Sequence, residues 1–84
     1  MAEADILARL TELFRDVFDD PSIALTPTTT AADIEGWDSF AHVNLIVAIE
    51  LHFGLKFRTA EIEGLRNVGE MVRVIERKLA EARR

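Results

Sequence analysis

The side chains best suited to chemistry stand together in the segment Asp38-Ser39-Phe40-Ala41-His42. Aspartate, serine and histidine are the members of a nucleophilic triad, whose geometry is demanding. Ser39 and His42 would share a helix face because they are three positions apart, but the sequence neither places Asp38 to orient His42 nor suggests an oxyanion hole. The nucleophile-elbow pattern fails as well, because residue 41 is alanine and Gly36 lies three positions before the serine. We therefore expect that the chain is not an enzyme.

The histidines and glycines do not follow the spacing of a metal or phosphate site. The chain has no cysteine, which excludes disulfides and thiolate metal ligands. His42 and His52 are ten positions apart, or about 1000° of helical rotation, which puts them on different faces. The glycines are scattered at positions 36, 54, 64 and 69 rather than clustered in a phosphate-binding loop. We expect no metal site and interpret each histidine as a surface or boundary residue.

Length and charge indicate one small acidic domain that spans residues 1–84. The net charge of −5 disfavours nucleic acid as a partner. Twelve acidic and four basic side chains lie in residues 1–63, whereas three acidic and six basic ones follow, so a basic partner would be steered toward the first part. No apolar run approaches the roughly 20 residues of a membrane span, and the acidic N-terminus is unlike a secretory signal. We expect a cytoplasmic monomer without membrane insertion.

Two helices and a long loop are predicted for the first two thirds of the chain. Apolar residues at helical spacing predict a first helix over residues 3–18, which Pro21 ends. Residues 21–37 are predicted to be a loop, which Ile23, Leu25, Ile34 and Trp37 could hold to the core. A loop of this length in a small domain is usually functional or tightly packed.

The second helix is predicted over residues 39–52, with Asp38 as its N-cap and Gly54 just beyond its end. It is apolar on almost every side. Such a helix is either central in the fold or has a second apolar surface for a partner. Ser39, in its first turn, would be exposed, and the free N–H groups there favour a negative group. A phosphate ester on Ser39 would suit this position, although a plain capping role would also explain an Asp-Ser pair.

The last third of the chain is predicted to hold an extended linker and two further helices. Residues 55–58 form the linker, and Thr59 is predicted to cap a short helix over residues 60–65. Asn67 and Glu70 are spaced as a capping box, followed by a helix over residues 68–82. The predicted fold class is therefore all-α: a small four-helix bundle of three longer helices and one short one, with a long loop between the first two.

With these elements in place, the sequence resembles the acyl carrier protein family over nearly its whole length. The resemblance is carried by Gly36-Trp37-Asp38-Ser39-Phe40 and by the apolar helix that follows, with Glu50, Phe53-Gly54 and Phe57. It implies that a phosphopantetheinyl transferase attaches 4′-phosphopantetheine from coenzyme A to Ser39. The thiol of this covalent cofactor would carry acyl groups as thioesters, which supplies the sulfur that the chain lacks.

The resemblance also implies roles for residues near the serine. Asp38 would cap the helix and present its carboxylate to the transferase. The implied partners are acyl-activating, acyltransferase and synthase enzymes of fatty-acid, polyketide or other specialised biosynthesis. The residues expected to dock them are apolar or acidic, namely Phe40, Val47, Ile62, Glu50 and Glu61, with core packing as the alternative for the apolar ones and simple solvation for the acidic ones.

Two departures from the family pattern bear on the pathway. Phe40 stands where the family most often has leucine, and His42, Asn44, Leu51 and His52 make the second helix less acidic than in carriers of fatty-acid synthesis. A specialised pathway fits at least as well as a housekeeping one. A peptidyl or aminoacyl carrier is an alternative, although those commonly have histidine before the serine, where this chain has Asp38. A helical interaction module without any modification is the second alternative.

Overall fold

The computed structural model describes residues 2–82, and this part of the chain is helical without strands. Three helices of equal length, α1 (Glu3–Val17), α2 (Ser39–Phe53) and α4 (Val68–Ala82), pack with one short helix, α3 (Thr59–Glu63). A long loop joins α1 to α2 and contains a single 3-10 turn, Ala31–Asp33. The predicted fold class, an all-α bundle of three longer helices and one short helix, is confirmed. No helix within residues 2–82 is long and apolar enough to cross a membrane.

The core forms where one apolar face of each long helix meets the others. The fully buried side chains recur at intervals of three or four residues along α1 and α4, as expected for amphipathic helices. Helix α2 adds buried residues to the same cluster although its sequence is apolar on all sides. The buried core residues of the three helices are Ile6, Leu10 and Phe14; Leu45, Ile46 and Ile49; and Val68, Met71, Val72 and Ile75.

The long loop is packed against the bundle, as the sequence predicted. Ile23 and Leu25 are buried, and Ile34 is half-buried against the core. The loop is also tied to the start of α4, because the N–H of Val68 donates to the carbonyl of Thr29 at 2.9 Å. A buried loop needs its backbone polar groups paired, and this bond pairs two of them. The apolar contacts and this bond hold the loop against the bundle, where it leads into α2.

The 3-10 turn inside the loop was not predicted, because the sequence there offers no hydrophobic periodicity. The carboxylate of Asp33 accepts hydrogen bonds from the backbone N–H of Thr30 at 2.9 Å and from its hydroxyl at 3.2 Å. These local bonds satisfy the backbone at the start of the turn, much as a capping residue does at a longer helix.

Helix ends differ from the prediction by one or two residues, for local reasons. Helix α1 ends at Val17 and α2 runs through Phe53. The prediction that Thr59 caps α3 was wrong: Arg58 is the N-cap, and the carboxylate of Glu61 accepts from its N–H at 2.8 Å. Helix α3 also ends at Glu63, earlier than predicted.

The capping box predicted before α4 forms only in part. Asn67 accepts from the N–H of Glu70 at 2.9 Å, as predicted. The carboxylate of Glu70, however, reaches one residue further back than a capping box requires, to the N–H of Arg66 at 2.7 Å. The bond from Glu70 satisfies an N–H of the first helical turn that lacks an intrahelical partner, and the bond from Arg66 satisfies an N–H just before the helix.

Candidate functional site

Ser39 is the first residue of α2, and its side chain is exposed. The residue before it, Asp38, has an extended backbone, and its carboxylate accepts a hydrogen bond of 2.8 Å from the N–H of Ala41. Asp38 is therefore the N-cap, as predicted. Because the capping role belongs to Asp38, helix capping does not account for the hydroxyl of Ser39, which stands at the positive end of the helix dipole.

The segment that leads into Ser39 is held by Trp37. Its half-buried indole packs edge-on against Phe14 of α1, with ring centroids 5.1 Å apart, and contacts Phe18 at 6.1 Å. Gly36 precedes it with a φ of 86°, a left-handed conformation that glycine adopts without strain. The predicted role of Trp37 as an anchor is confirmed, and this anchor fixes where Asp38 and Ser39 begin the helix.

Trp37 also contacts His42, one turn into α2. The indole Nε1–H donates a hydrogen bond of 3.0 Å to Nδ1 of the imidazole, and the two rings stack with centroids 5.9 Å apart. In a catalytic triad the imidazole Nδ1 would instead carry a proton donated to the aspartate. Here Nδ1 accepts from Trp37 and Asp38 binds Ala41. The arrangement is therefore not that of a triad, and His42 is the half-buried boundary residue that the sequence suggested.

A cavity of about 520 Å³ opens beside Ser39. Ser39 and His42 line it from α2, and further polar groups come from Asp38, Glu63, Arg66 and Asn67. Its remaining walls are largely apolar and come from α2, α3, the following loop and α4: Val43, Ile62, Leu65 and Met71. Val43 lies in the pocket wall. The sequence did not single out Leu65, because the loop after α3 approaches α2 only in the folded chain.

The outward face of α2 is a continuous apolar stripe, defined by Phe40, Val43, Val47 and Leu51. Their side chains are 77%, 59%, 47% and 79% exposed. The spacing of three, four and four residues places them on one face. Phe40 and Val47 were among the predicted docking residues, and both are open to a partner. Leu51 was not among them, although the same spacing could have identified it.

The other predicted docking residues are less accessible. Ile62 is half-buried in the cavity wall. Glu50 turns back toward its own chain, where its carboxylate accepts from the N–H of Phe57 at 2.9 Å.

Glu61 is the most firmly held of these residues. Lys78 and Arg77 of α4 each approach one of its oxygens at 2.8 Å. The hydrogen bond from Lys78, followed by that from the N–H of Arg58, lowers the pKa of Glu61. The carboxylate therefore links α3 to α4 within the chain.

A metal site is not part of this arrangement within residues 2–82. No group of three or more histidine, aspartate or glutamate side chains in this range is close enough to share an ion. What the site does offer is an exposed hydroxyl at a helix start beside an apolar cavity. These features fit a phosphate ester on the hydroxyl with an elongated group along the cavity.

Comparison with known proteins points to the same chemistry. A family model described as "Phosphopantetheine attachment site" matches residues 8–75. An acyl carrier protein of Acidothermus cellulolyticus is 29% identical over 72 residues, which are 86% of each chain. The solution structure of holo acyl carrier protein from Geobacter metallireducens has a TM-score of 0.86 and 49% sequence identity, covering 90% of this chain and 87% of that one.

The family match covers most of the chain, including all of α2 and the cavity beside it. The similarity to the solved structure extends over the fold as well as the sequence. Phosphopantetheine, covalently attached, is the cofactor that these relationships support. This protein belongs to the acyl carrier protein family.

Proposed function

We propose that Ser39 is the attachment site of 4′-phosphopantetheine and that the chain carries acyl groups for enzymes of fatty-acid, polyketide or other specialised biosynthesis. One observation carries this proposal: Ser39 is exposed at the first turn of α2 while its neighbour Asp38 caps the helix. The hydroxyl is thus free to react without loss of the cap. The family's role as a carrier rather than a catalyst agrees with the accepting role of His42 toward Trp37.

The attachment is a phosphoryl transfer that a separate transferase catalyses. The Oγ of Ser39 forms a bond to the phosphorus next to the pantetheine of coenzyme A. The bond from that phosphorus to the bridging oxygen breaks, adenosine 3′,5′-bisphosphate leaves with the electron pair, and the hydroxyl proton passes to a base of the transferase. The positive end of α2 stabilises the phosphodiester anion that results.

The chain's own residues then position the cargo. When attached, the arm supplies a terminal thiol for a thioester. Val43, Ile62, Leu65 and Met71 give the cavity beside Ser39 an apolar wall, which favours an aliphatic or aromatic acyl group over a charged one. Shielding in this cavity would keep water from the cargo between visits to partner enzymes.

Partner enzymes are proposed to dock on the exposed apolar stripe of α2. Phe40 and Val47, the predicted docking residues on this stripe, would supply apolar contact area, because both are exposed and lie on the helix that begins with Ser39. Ile62 would contribute at the edge of the cavity. Glu50 and Glu61 would contribute least, since both carboxylates already have partners within the chain. From Ser39 to Ile49 the helix has no aspartate, glutamate, lysine or arginine, so a mainly apolar partner surface fits better than a basic one.

Modification of Ser39 can be measured directly. The purified chain is incubated with coenzyme A and a broad-specificity phosphopantetheinyl transferase, and its intact mass is recorded. We expect a gain of one phosphopantetheinyl group in the wild type and in Ser22→Ala, and no gain in Ser39→Ala. Ser22 is the matched control because it is the chain's only other serine and its hydroxyl donates to Asp20 at 2.6 Å in an exposed turn.

A gain in mass that persists in Ser39→Ala would disprove the attachment site. No gain in the wild type would favour the alternative of an unmodified interaction module, in which the apolar stripe of α2 alone binds the partner. If the wild type is modified, loading it with acyl-activating enzymes of differing specificity would distinguish acyl from aminoacyl cargo.

A further inference from the structure

The hydrogen bond from Trp37 determines where His42 carries its proton. An indole nitrogen donates and cannot accept, so Nδ1 of His42, which receives the Nε1–H at 3.0 Å, must be unprotonated. In a neutral imidazole the proton then resides on Nε2. The stacking of the two rings and the packing of Trp37 on Phe14 hold this pairing in place. His42 is thus a fixed donor through Nε2.

His42 also shares a helix face and a cavity with Ser39. The two residues are three positions apart on α2, where side chains lie about 5–6 Å apart at Cβ. Both line the same cavity. A phosphate on Ser39 Oγ would extend from the serine side chain toward neighbours on that helix face, within the span of an imidazole.

We propose that the Nε2–H of His42 donates a hydrogen bond to the phosphate attached to Ser39 and so directs the arm along the cavity. This inference rests on the proposed modification of Ser39. It makes His42 a positioning residue, which takes no part in a bond-forming step. A hydrogen bond to a charged acceptor is stronger than one between neutral groups. A single donor is therefore enough to favour the direction of the arm along the cavity.

The effects of other charged groups on the phosphate must be distinguished from the effect of His42. Asp38 lies beside Ser39, while Glu63 of α3 and Arg66 of the following loop line the opposite side. The two carboxylates would repel a phosphate. Arg66 is an exposed cation and is the competing explanation for any interaction with the phosphate, so it needs its own variant.

The holo protein, prepared and verified by intact mass, provides the test. Its ³¹P resonance and its imidazole ¹⁵N resonances are recorded at one fixed pH near neutrality. We expect His42 to have a protonated Nε2 and an unprotonated Nδ1, with the Nε2–H exchanging more slowly in the holo than in the apo protein. The ³¹P chemical shift should depend on the imidazole of His42.

Three variants assign the ³¹P chemical shift. His42→Gln should change it, because the Nε2–H donor is lost, while His52→Gln and Arg66→Gln should leave it unchanged. His52 is the matched control, an exposed histidine at the far end of the same helix. Trp37→Phe should allow both imidazole tautomers, seen as a partly protonated Nδ1. Circular dichroism of each variant verifies the helical fold, and the comparison of apo and holo wild type needs no variant.

The outcomes separate this inference from the one it rests on. Failure to form any holo protein overturns both. The role of His42 alone is overturned by a holo protein whose ³¹P chemical shift is unchanged in His42→Gln, or changes in Arg66→Gln instead. It is also overturned if the Nε2–H exchanges at the same rate in both forms.

Discussion

Gly69, in the first turn of α4, donates its backbone N–H to the carbonyl of Pro27 in the long loop at 2.8 Å. The approach is so close that a Cβ on Gly69 would lie 2.8 Å from that same oxygen and 3.3 Å from the Cβ of Pro27. The bond ties the loop that leads to Ser39 onto the helix on the other side of the core. Glycine is required here by space rather than by backbone angle.

Gly69→Ala is therefore expected to destabilise the protein, although alanine favours helix elsewhere. The new methyl group must push the loop backbone away, and overpacking of this kind costs about 1–3 kcal/mol. Chemical denaturation followed by circular dichroism measures the change. Gly64→Ala is the control: its nearest contact would be 3.3 Å, at the end of the short exposed helix α3, so it should have less than half the effect. Equal effects in the two variants would contradict the argument.

Two variants at Asp38 distinguish its capping role from recognition of its carboxylate by the transferase. Asp38→Ala removes the acceptor for the N–H of Ala41 and should cost about 1 kcal/mol of stability. Asp38→Asn keeps an acceptor oxygen but removes the charge, so stability should change by less than about 0.5 kcal/mol. If the transferase reads the carboxylate, both variants are modified slowly. Wild-type modification kinetics in Asp38→Asn would show that Asp38 acts only as a cap.

The ion pairs of Glu61 predict a dependence of stability on pH. Its pKa in the folded protein lies below the ordinary value of 4.5, chiefly because Lys78 donates a hydrogen bond to the carboxylate. The stabilisation is thus fully present above about pH 4.5 and is lost as the pH falls through the lower, folded-state pKa. Because Glu61 joins α3 to α4, acid should weaken the attachment of α3.

Glu61→Gln is expected to lower the free energy of unfolding at neutral pH by about 0.5–1 kcal/mol, as for other partly exposed ion pairs, and to have less effect in acid. Denaturant titrations at about pH 7 and pH 3 measure both values. Glu63→Gln, an exposed neighbour on the same helix, controls for loss of charge in general. A Glu61→Gln variant whose loss of stability were equal at both pH values would show that the ion pairs do not contribute.

Helix α2 should respond very differently to truncation on its two faces. Ile49 is completely buried, whereas Leu51, two residues later, is 79% exposed. Ile49→Ala should leave a cavity and cost about 2–5 kcal/mol, but Leu51→Ala should stay within about 0.5 kcal/mol. Denaturation midpoints compare the two. A large loss in Leu51→Ala would mean that another surface covers the stripe in solution, which sedimentation would reveal as self-association.

Helix positions and the cap of α2 at Asp38 were predictable because they depend on neighbours in sequence. The apolar spacing of α1 and α4 marked their buried faces, and Asp38 preceded α2 as a capping residue should. Errors arose where a side chain bonded one residue away from its usual partner, as with Glu70 and Arg66.

The buried face of α2, in contrast, could not be predicted from the sequence. A helix with apolar residues on every side gives no periodic signal for its orientation, so whether Phe40 belonged to the core or to the surface could not be decided from the residues. Packing of Leu45 and Ile49 against α1 and α4 decided it, and turned Phe40 and Leu51 outward. That they dock partner enzymes stays a prediction.

The sequence by itself determined that this is a small helical protein with a serine at the start of an apolar helix, since helix formation, capping and residue chemistry are local properties. Only the tertiary structure brought the loop after α3 to Ser39 to form a cavity, and only packing on Phe14 placed Trp37 to hold the proton of His42 on Nε2. These contacts join residues from separate elements, and the folding of the core as a whole sets their distances.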